Sequence, residues 1–309
     1  MGKLRVAVIG AGHLGSIHAK LYKELSSCEL TAICDINQTR LTELSAALGV
    51  YTTQDYKSLF GKIDAASVAV PTNQHYKVAF DLLNHGIPVL VEKPFTTNLP
   101  EADALIRLAK KKKLLLQVGH VERFNSAFAA TKKLINEPKF IECHRLSPFP
   151  NRSLDVGVVL DLMIHDLDIV LGLVNSPVKK LEAVGINVLT KFEDIANARI
   201  EFKNGCVCNL TASRVSDEWL RKIRIFLKNT YISLDYKHEE AFVYRKTPQG
   251  ITKEALPIEK EQPLKRELNS FIDSIIQSKP PLVTGEEARA SLAIALQICK
   301  IIWRKQRIY

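Results

Sequence analysis

Residues 4–19 read LRVAVIGAGHLGSIHA, and their order decides the fold. A short apolar run ends at a glycine turn, and the turn opens directly into an amphipathic stretch. Gly10, Gly12 and Gly15 keep the GxGxxG spacing, with His13 and Leu14 inside it. Glycines there permit a tight turn and close approach of a pyrophosphate, whose charge meets a helix N-terminus. The spacing alone is weak evidence, but strand before and helix after is the context it needs. A second apolar run, ELTAICD, ends at Asp35, twenty residues beyond Gly15. A carboxylate at that point suits the adenosine ribose hydroxyls and repels a 2′-phosphate, so NAD is expected rather than NADP. Arg40, close by, keeps NADP as the minor alternative.

The pattern continues to about residue 120. Strands are expected at AASVAV, PVLVEK and LLLQVG, and helices at Leu14 to Glu24, Gln38 to Leu48, Asn73 to His85 and Pro100 to Lys112. Near-continuous apolar strands joined through helices imply a doubly wound parallel sheet covered on both faces. Beyond residue 120 a long apolar helix, Val156 to Val174, precedes strands of alternating character, among them ANARIEF, CVCNLTAS and KIRIFLK. Asn204-Gly205 reads as a two-residue hairpin turn. The expected organisation is a Rossmann domain over 1–120 and, over 121–309, an α/β domain with an open, mainly antiparallel sheet. Two closing helices follow, Pro263 to Gln277 and one capped by Thr284.

Composition limits the function classes. A chain of 309 residues, 46% hydrophobic and 25% charged, has the profile of a globular protein with real cores. No apolar run reaches the roughly 18–20 residues that span a bilayer, and no cleavage site follows LRVAVIGAG, so a cytoplasmic protein without a membrane partner is expected. The six cysteines show no metal-ligand spacing, and no metal is expected. The net charge of +10 comes without a nucleic-acid motif, and Lys110 to Lys113 read as a solvated helix end. An anionic small molecule is the expected use of that charge, not nucleic acid.

Three further stretches carry chemistry. VAVPTNQH lies where open α/β sheets bind ligands, which makes Pro71, Thr72, Asn73 and His75 candidate cofactor contacts. In PVLVEKPF, Glu92 and Lys93 end a strand at the same rim and join the candidate cofactor contacts, and a lysine partly desolvated there is suited to exchange a proton with a hydroxyl. In VGVVLDLMIHDLDIVLGLV, Asp161, His165 and Asp168 fall at i, i+4 and i+7 on one face of an apolar helix. Buried titratable groups are costly unless paired or functional. His165 reads as a base or hydroxyl-orienting group, and Asp161 as its partner or a substrate contact.

These residues, taken in order, resemble the Gfo/Idh/MocA oxidoreductase family over nearly the whole chain: GxGxxG at Gly10, the Glu92-Lys93-Pro94 triplet, and GxxxDxxxH at Gly157, Asp161 and His165. The resemblance implies hydride transfer between nicotinamide and a sugar carbon. Lys93 and His165 would then be the catalytic groups, with Asp161 touching the substrate. It also implies a homodimer or homotetramer formed through the open sheet, and a cis bond before Pro94. VGHVERFNSA and ECHRLSPFPNRS are similar to the subgroup acting on the 3-hydroxyl of UDP-N-acetylglucosamine, although Ser126 stands where that subgroup often has proline. Arg123, Asn125, Arg145 and Arg152 would then face the nucleotide sugar, with Glu122 beside them; the competing reading is that Arg123 and Arg145 brace the domain junction. Rival functions are a dehydrogenase of a free sugar or polyol such as inositol or glucose, and a non-enzymatic nicotinamide-sensing regulator.

Overall fold

The computed structural model describes residues 2–149 and 156–306. The chain divides into two compact units, Met1–His120 with Gln262–Arg289, and Val121–Glu261 with Ala290–Tyr309.

In the first unit, strands β1 (Leu4–Ile9), β2 (Cys28–Cys34), β3 (Tyr51–Thr53), β4 (Ala65–Val68), β5 (Val89–Glu92) and β6 (Leu116–Gly119) form one parallel sheet in the order β3-β2-β1-β4-β5-β6. The order reverses at β1, which opens the crevice that such sheets present to ligands beyond their carboxyl ends. β4, β5 and β6 are buried at every position, as a sheet covered on both faces requires. Helices α1 (His13–Glu24), α2 (Gln38–Leu48), α3 (Thr72–Asn84) and α4 (Leu99–Lys112) lie within a residue or so of their expected bounds. Asn98 caps α4, its side chain accepting from the Glu101 N–H, and Pro100 sits in the first turn. At the other end, Lys110 pairs with Glu286 and Lys112 donates to the Asn84 carbonyl. The short edge strand β3 has no clear apolar signal and was not foreseen.

The second unit contains α5 (Ser126–Lys132), β7 (Phe140–Leu146), α6 (Ile164–Val174), β8 (Val178–Ile186), β9 (Ile195–Phe202), β10 (Val207–Ser213), β11 (Leu220–Leu227), β12 (Thr230–Asp235), β13 (Glu240–Thr247) and β14 (Gly250–Ala255). Its sheet runs β14-β13-β12-β11-β7-β10-β9-β8, antiparallel except for the parallel pair β7 and β10. One face is core, with Ile141, Cys208, Leu210, Ile223, Ile232 and Val243 buried. The β9–β10 turn differs from expectation. Phe202 donates to Cys206, leaving a three-residue loop, and only Gly205 has positive φ, at 85°. A loop of that length needs a single left-handed residue, where the two-residue turn needs two.

The last two helices are α7 (Pro263–Ile276) and α8 (Gly285–Gln306). α7 belongs to the first unit, outside the 1–120 span read from the sequence. Its Leu268, Phe271 and Ile272 are fully buried in one cluster with Val6, Tyr22 and Leu30. Thr284 and Glu287 form a reciprocal capping box, each accepting from the other's N–H. No helix among the described residues is long and apolar enough to cross a membrane.

Candidate active site

The rim of the first unit is built from the carboxyl ends of its strands. After β1, Gly10 takes φ +102°, and a Cβ there would lie 2.5 Å from the Ala69 carbonyl. A Cβ on Gly15 would strike the Gly10 carbonyl. These two glycines are therefore dictated by backbone packing. Gly12 is different: a Cβ on it meets nothing within 4 Å, so its bareness leaves open space at the N-cap of α1. No side chain caps α1 and no acid stands in its first turn. The positive dipole end of the helix suits an anion. His13 and Leu14, at the first turn, are exposed.

Asp35 follows β2 and accepts from the Ala11 N–H at 2.5 Å and the Asn37 N–H at 2.8 Å. Each carboxylate oxygen retains acceptor capacity for a ribose hydroxyl. Ile36, next to it, is 88% exposed, an apolar surface the sequence reading did not single out. After β4, Pro71 and Asn73 are exposed and Thr72 is half-buried. An open glycine cradle, an uncapped helix start and a rim carboxylate suit a dinucleotide.

Two expected cofactor contacts turn inward. His75 is buried, with Nδ1 3.0 Å from the Pro94 carbonyl and Nε2 2.9 Å from the Val70 carbonyl. Its ring ties the loop after β4 to the loop after β5. Burial lowers its pKa more than the Val70 and Pro94 carbonyls raise it, so a neutral ring donates to one of them at a time. Glu92, 6% exposed, points at His18, with Oε1 3.1 Å from Nε2, and its Oε2 accepts from the Lys93 N–H at 3.2 Å. The expected cofactor roles of His75 and Glu92 are thereby corrected to bracing ones. Lys93 itself is partly exposed at the rim, and the Lys93-Pro94 bond is cis.

In the second unit the expected long helix begins as a π-turn, Val159–Met163, in which the Ile164 N–H reaches the Val159 carbonyl. Glu193 caps its start. Glu193 accepts from the Val158 N–H through its backbone carbonyl and from the Val159 N–H through its side chain. The Glu193 carboxyl fills the space a Gly157 Cβ would need, 2.0 Å away. Asp161 lies in the π-turn and His165, buried, in the first turn of α6. The four-residue interval between them is not the regular helical step the sequence suggested, and such turns are frequent at functional sites. Asp161 is half-buried.

Asp168 leaves the stripe. It takes a bidentate ion pair from Arg123, at 2.5 and 3.0 Å, and accepts from Ser291. Arg145, 3% exposed, donates to Asp166 at 3.0 and 2.8 Å and to Glu122 at 2.8 Å. Asn125 caps α5 and donates to the Tyr236 carbonyl. Burial and the geometry of these contacts correct the expectation that Arg123, Asn125 and Arg145 face a substrate: they brace the second unit internally. Arg152 lies outside the described residues. Asp166 and Glu193 were passed over because neither forms a motif in sequence.

The chain matches the family described as "Oxidoreductase family, NAD-binding Rossmann fold" over residues 4–120 and the "GFO/IDH/MocA C-terminal domain" over 118–232. It is 36% identical to UDP-N-acetylglucosamine 3-dehydrogenase of Acidithiobacillus ferrooxidans, covering 96% of each chain. The solved structure of that enzyme matches with a TM-score of 0.93 over 98% of both chains. The myo-inositol 2-dehydrogenase of Thermotoga maritima is 27% identical, covering 99% of this chain and 98% of the relative. Scyllo-inositol dehydrogenase of Lactobacillus casei, solved with NAD(H) and scyllo-inositol, is 20% identical and shares the fold with a TM-score of 0.84.

Proposed function

The chain belongs to the GFO/IDH/MocA oxidoreductase family, and on that premise we propose that it oxidises the 3-hydroxyl of a UDP-N-acetylglucosamine-like nucleotide sugar with NAD. The observation that carries a dehydrogenase reading is Lys93, partly exposed at the end of β5 on the same rim as the open Gly12 cradle. Retention of Asp161 and His165 argues against a sensor, which needs no proton-transfer set. The nucleotide-sugar substrate rests on the full-length similarity to the Acidithiobacillus enzyme. Arg123 and Arg145 lend it no support, being consumed internally.

NAD when bound accepts the hydride. The residues of this chain do the rest. The N–H groups at the start of α1 hold the pyrophosphate, Asp35 holds the ribose and disfavours a 2′-phosphate, and Ile36 offers a face to the base. Lys93 takes the proton of the reacting hydroxyl, while His165 and Asp161 orient the sugar. The outward face of the open sheet takes a second copy of the chain. Phe140, Phe226, Tyr231 and Tyr244 form a ladder across it with centroids 5.6, 4.8 and 4.9 Å apart, an apolar surface fit for burial.

Incubating the protein with NAD and UDP-N-acetylglucosamine, other UDP-sugars, inositol or glucose, with a ketone acceptor to draw the equilibrium, tests the reading. Reduced nicotinamide absorbance that grows with UDP-N-acetylglucosamine supports it. Growth only with free polyols replaces it with the second reading, which the inositol dehydrogenase relatives favour. Tight NAD binding with no turnover replaces it with a regulator.

A further inference from the structure

Beneath Lys93 lies a chain of buried polar groups that the proposed chemistry does not use. Tyr22 and His18 come from α1, Ser67 from β4 and Glu92 from β5. Tyr22 Oη stands 3.0 Å from Ser67 Oγ, which stands 3.1 Å from His18 Nδ1. His18 Nε2 lies 3.1 Å from Glu92 Oε1, within ion-pair distance, and Glu92 Oε2 accepts from the Lys93 N–H at 3.2 Å. Tyr22, His18 and Ser67 are fully buried. Space is reserved for the carboxylate: a Cβ on Gly119 of β6 would lie 2.9 Å from Glu92 Oε1.

Such a chain is a poor device for stability alone. Apolar side chains would fill the same volume without the cost of desolvating a carboxylate and an imidazole. The chain runs from the core to the backbone of the residue that carries the reactive amine. The charged and titratable groups around it are Lys93 and His75 facing Glu92, and Cys28 and Glu267 facing Tyr22.

We infer that His18 is a positioning residue for Lys93: it holds the Glu92 side chain in place, and Glu92 fixes the backbone from which Lys93 projects. Burial pushes the Glu92 carboxyl up, but the hydrogen bond and charge of His18, with the charge of Lys93, outweigh it and keep it below the usual carboxylate range. Without His18 only the Lys93 charge and N–H oppose the burial, which favours the protonated carboxyl; a proton on Oε2 would face the Lys93 N–H donor to donor.

The inference rests on the reading of Lys93 as the proton-transfer group, and two measurements keep the two apart. The first needs neither cofactor nor substrate. The infrared carboxyl band that disappears in Glu92→Gln is followed with pH in the wild type and in His18→Leu. His18→Leu is expected to move its protonation upward by a pH unit or more, roughly tenfold in proton affinity; an unmoved band overturns the inference even if the enzyme is active. The second is kinetic, on whichever substrate proves active. His18→Leu is expected to lower kcat by about tenfold or more, the cost of a misplaced reacting group, to move the acid limb of the pH profile upward, and to leave NAD affinity by fluorescence titration unchanged. His18→Gln, whose amide N–H still reaches Glu92, restores most of the rate. Wild-type kinetics in His18→Leu, or equal loss of rate, NAD binding and folding in both variants, overturns the inference.

Discussion

At the rim of the first unit the working parts are bare glycines, backbone N–H groups and partly exposed side chains, held by a sheet whose central strands are buried at every position. In the second unit Arg123, Arg145 and Arg214 are buried against Asp168, Asp166 and Asp194. Both regions are rich in residues that suggest chemistry, yet the arginines of the second are engaged internally, while Lys93 of the first is partly exposed. One guanidinium between Glu122 and Asp166, or a bidentate lock on Asp168, has spent its hydrogen bonds on architecture. Burial there pushes the Asp166 carboxyl up against the opposing pull of Arg145, another sign that the ionised pair is costly to keep. A charged residue acts on a ligand when its remaining valences point to solvent, and composition cannot say where they point.

The sharpest way to break this contrast is at Lys93. Lys93→Met should cut kcat by about 10²–10⁴-fold, the span of a lost general acid or base, with NAD affinity retained by fluorescence titration. A near-normal rate would remove the rim from the chemistry. Next comes Arg145→Met, which strands two buried carboxylates and should cost about 3–5 kcal/mol of stability, read from denaturant unfolding, without a selective rise in KM. A raised KM at unchanged stability would turn Arg145 back into a ligand. Gly12→Ala sharpens the first half: the fold has room for the methyl, so melting should stay put while NAD binding weakens by roughly tenfold, about 1.4 kcal/mol. The smallest effect is in pH. The folded pKa of Glu92 lies below its unfolded value of about 4.3. Its contribution to stability is therefore complete above that value and is lost as pH falls through the folded one. Glu92→Gln should flatten that acid limb of the unfolding curve, and an unchanged limb would show that Glu92 is not held ionised by the fold.

The first sheet was legible because buried parallel strands and glycine turns leave contiguous signals: α2 at Gln38–Leu48 and the turn at Gly10 stand where periodicity and spacing put them. Local sequence said less about partners far along the chain. His75 looked like a rim contact, but its loop folds over it. The evenness of the Asp161, His165, Asp168 stripe is broken by a π-turn, whose start is capped by Glu193 from 32 residues beyond Asp161. Arg123 and Arg145 looked like anion ligands because Asp168 and Asp166 lie 45 and 21 residues away in sequence. Such pairings depend on topology, which a hydropathy pattern does not carry.

The return of α7 to the first unit has a consequence for synthesis. A nascent chain that has emerged only to His120 has all six strands of the first sheet but lacks Leu268, Phe271 and Ile272, which close the core around Val6, Tyr22 and Leu30. That face must wait, uncovered, while the whole of Val121–Glu261 is translated. At about 5–20 residues per second this is an interval of several seconds or more. The order in which the chain is made therefore runs against the order in which its first core can be finished, and the exposed flank of α1 is the surface on which chaperones, or misfolding, would act in the meantime.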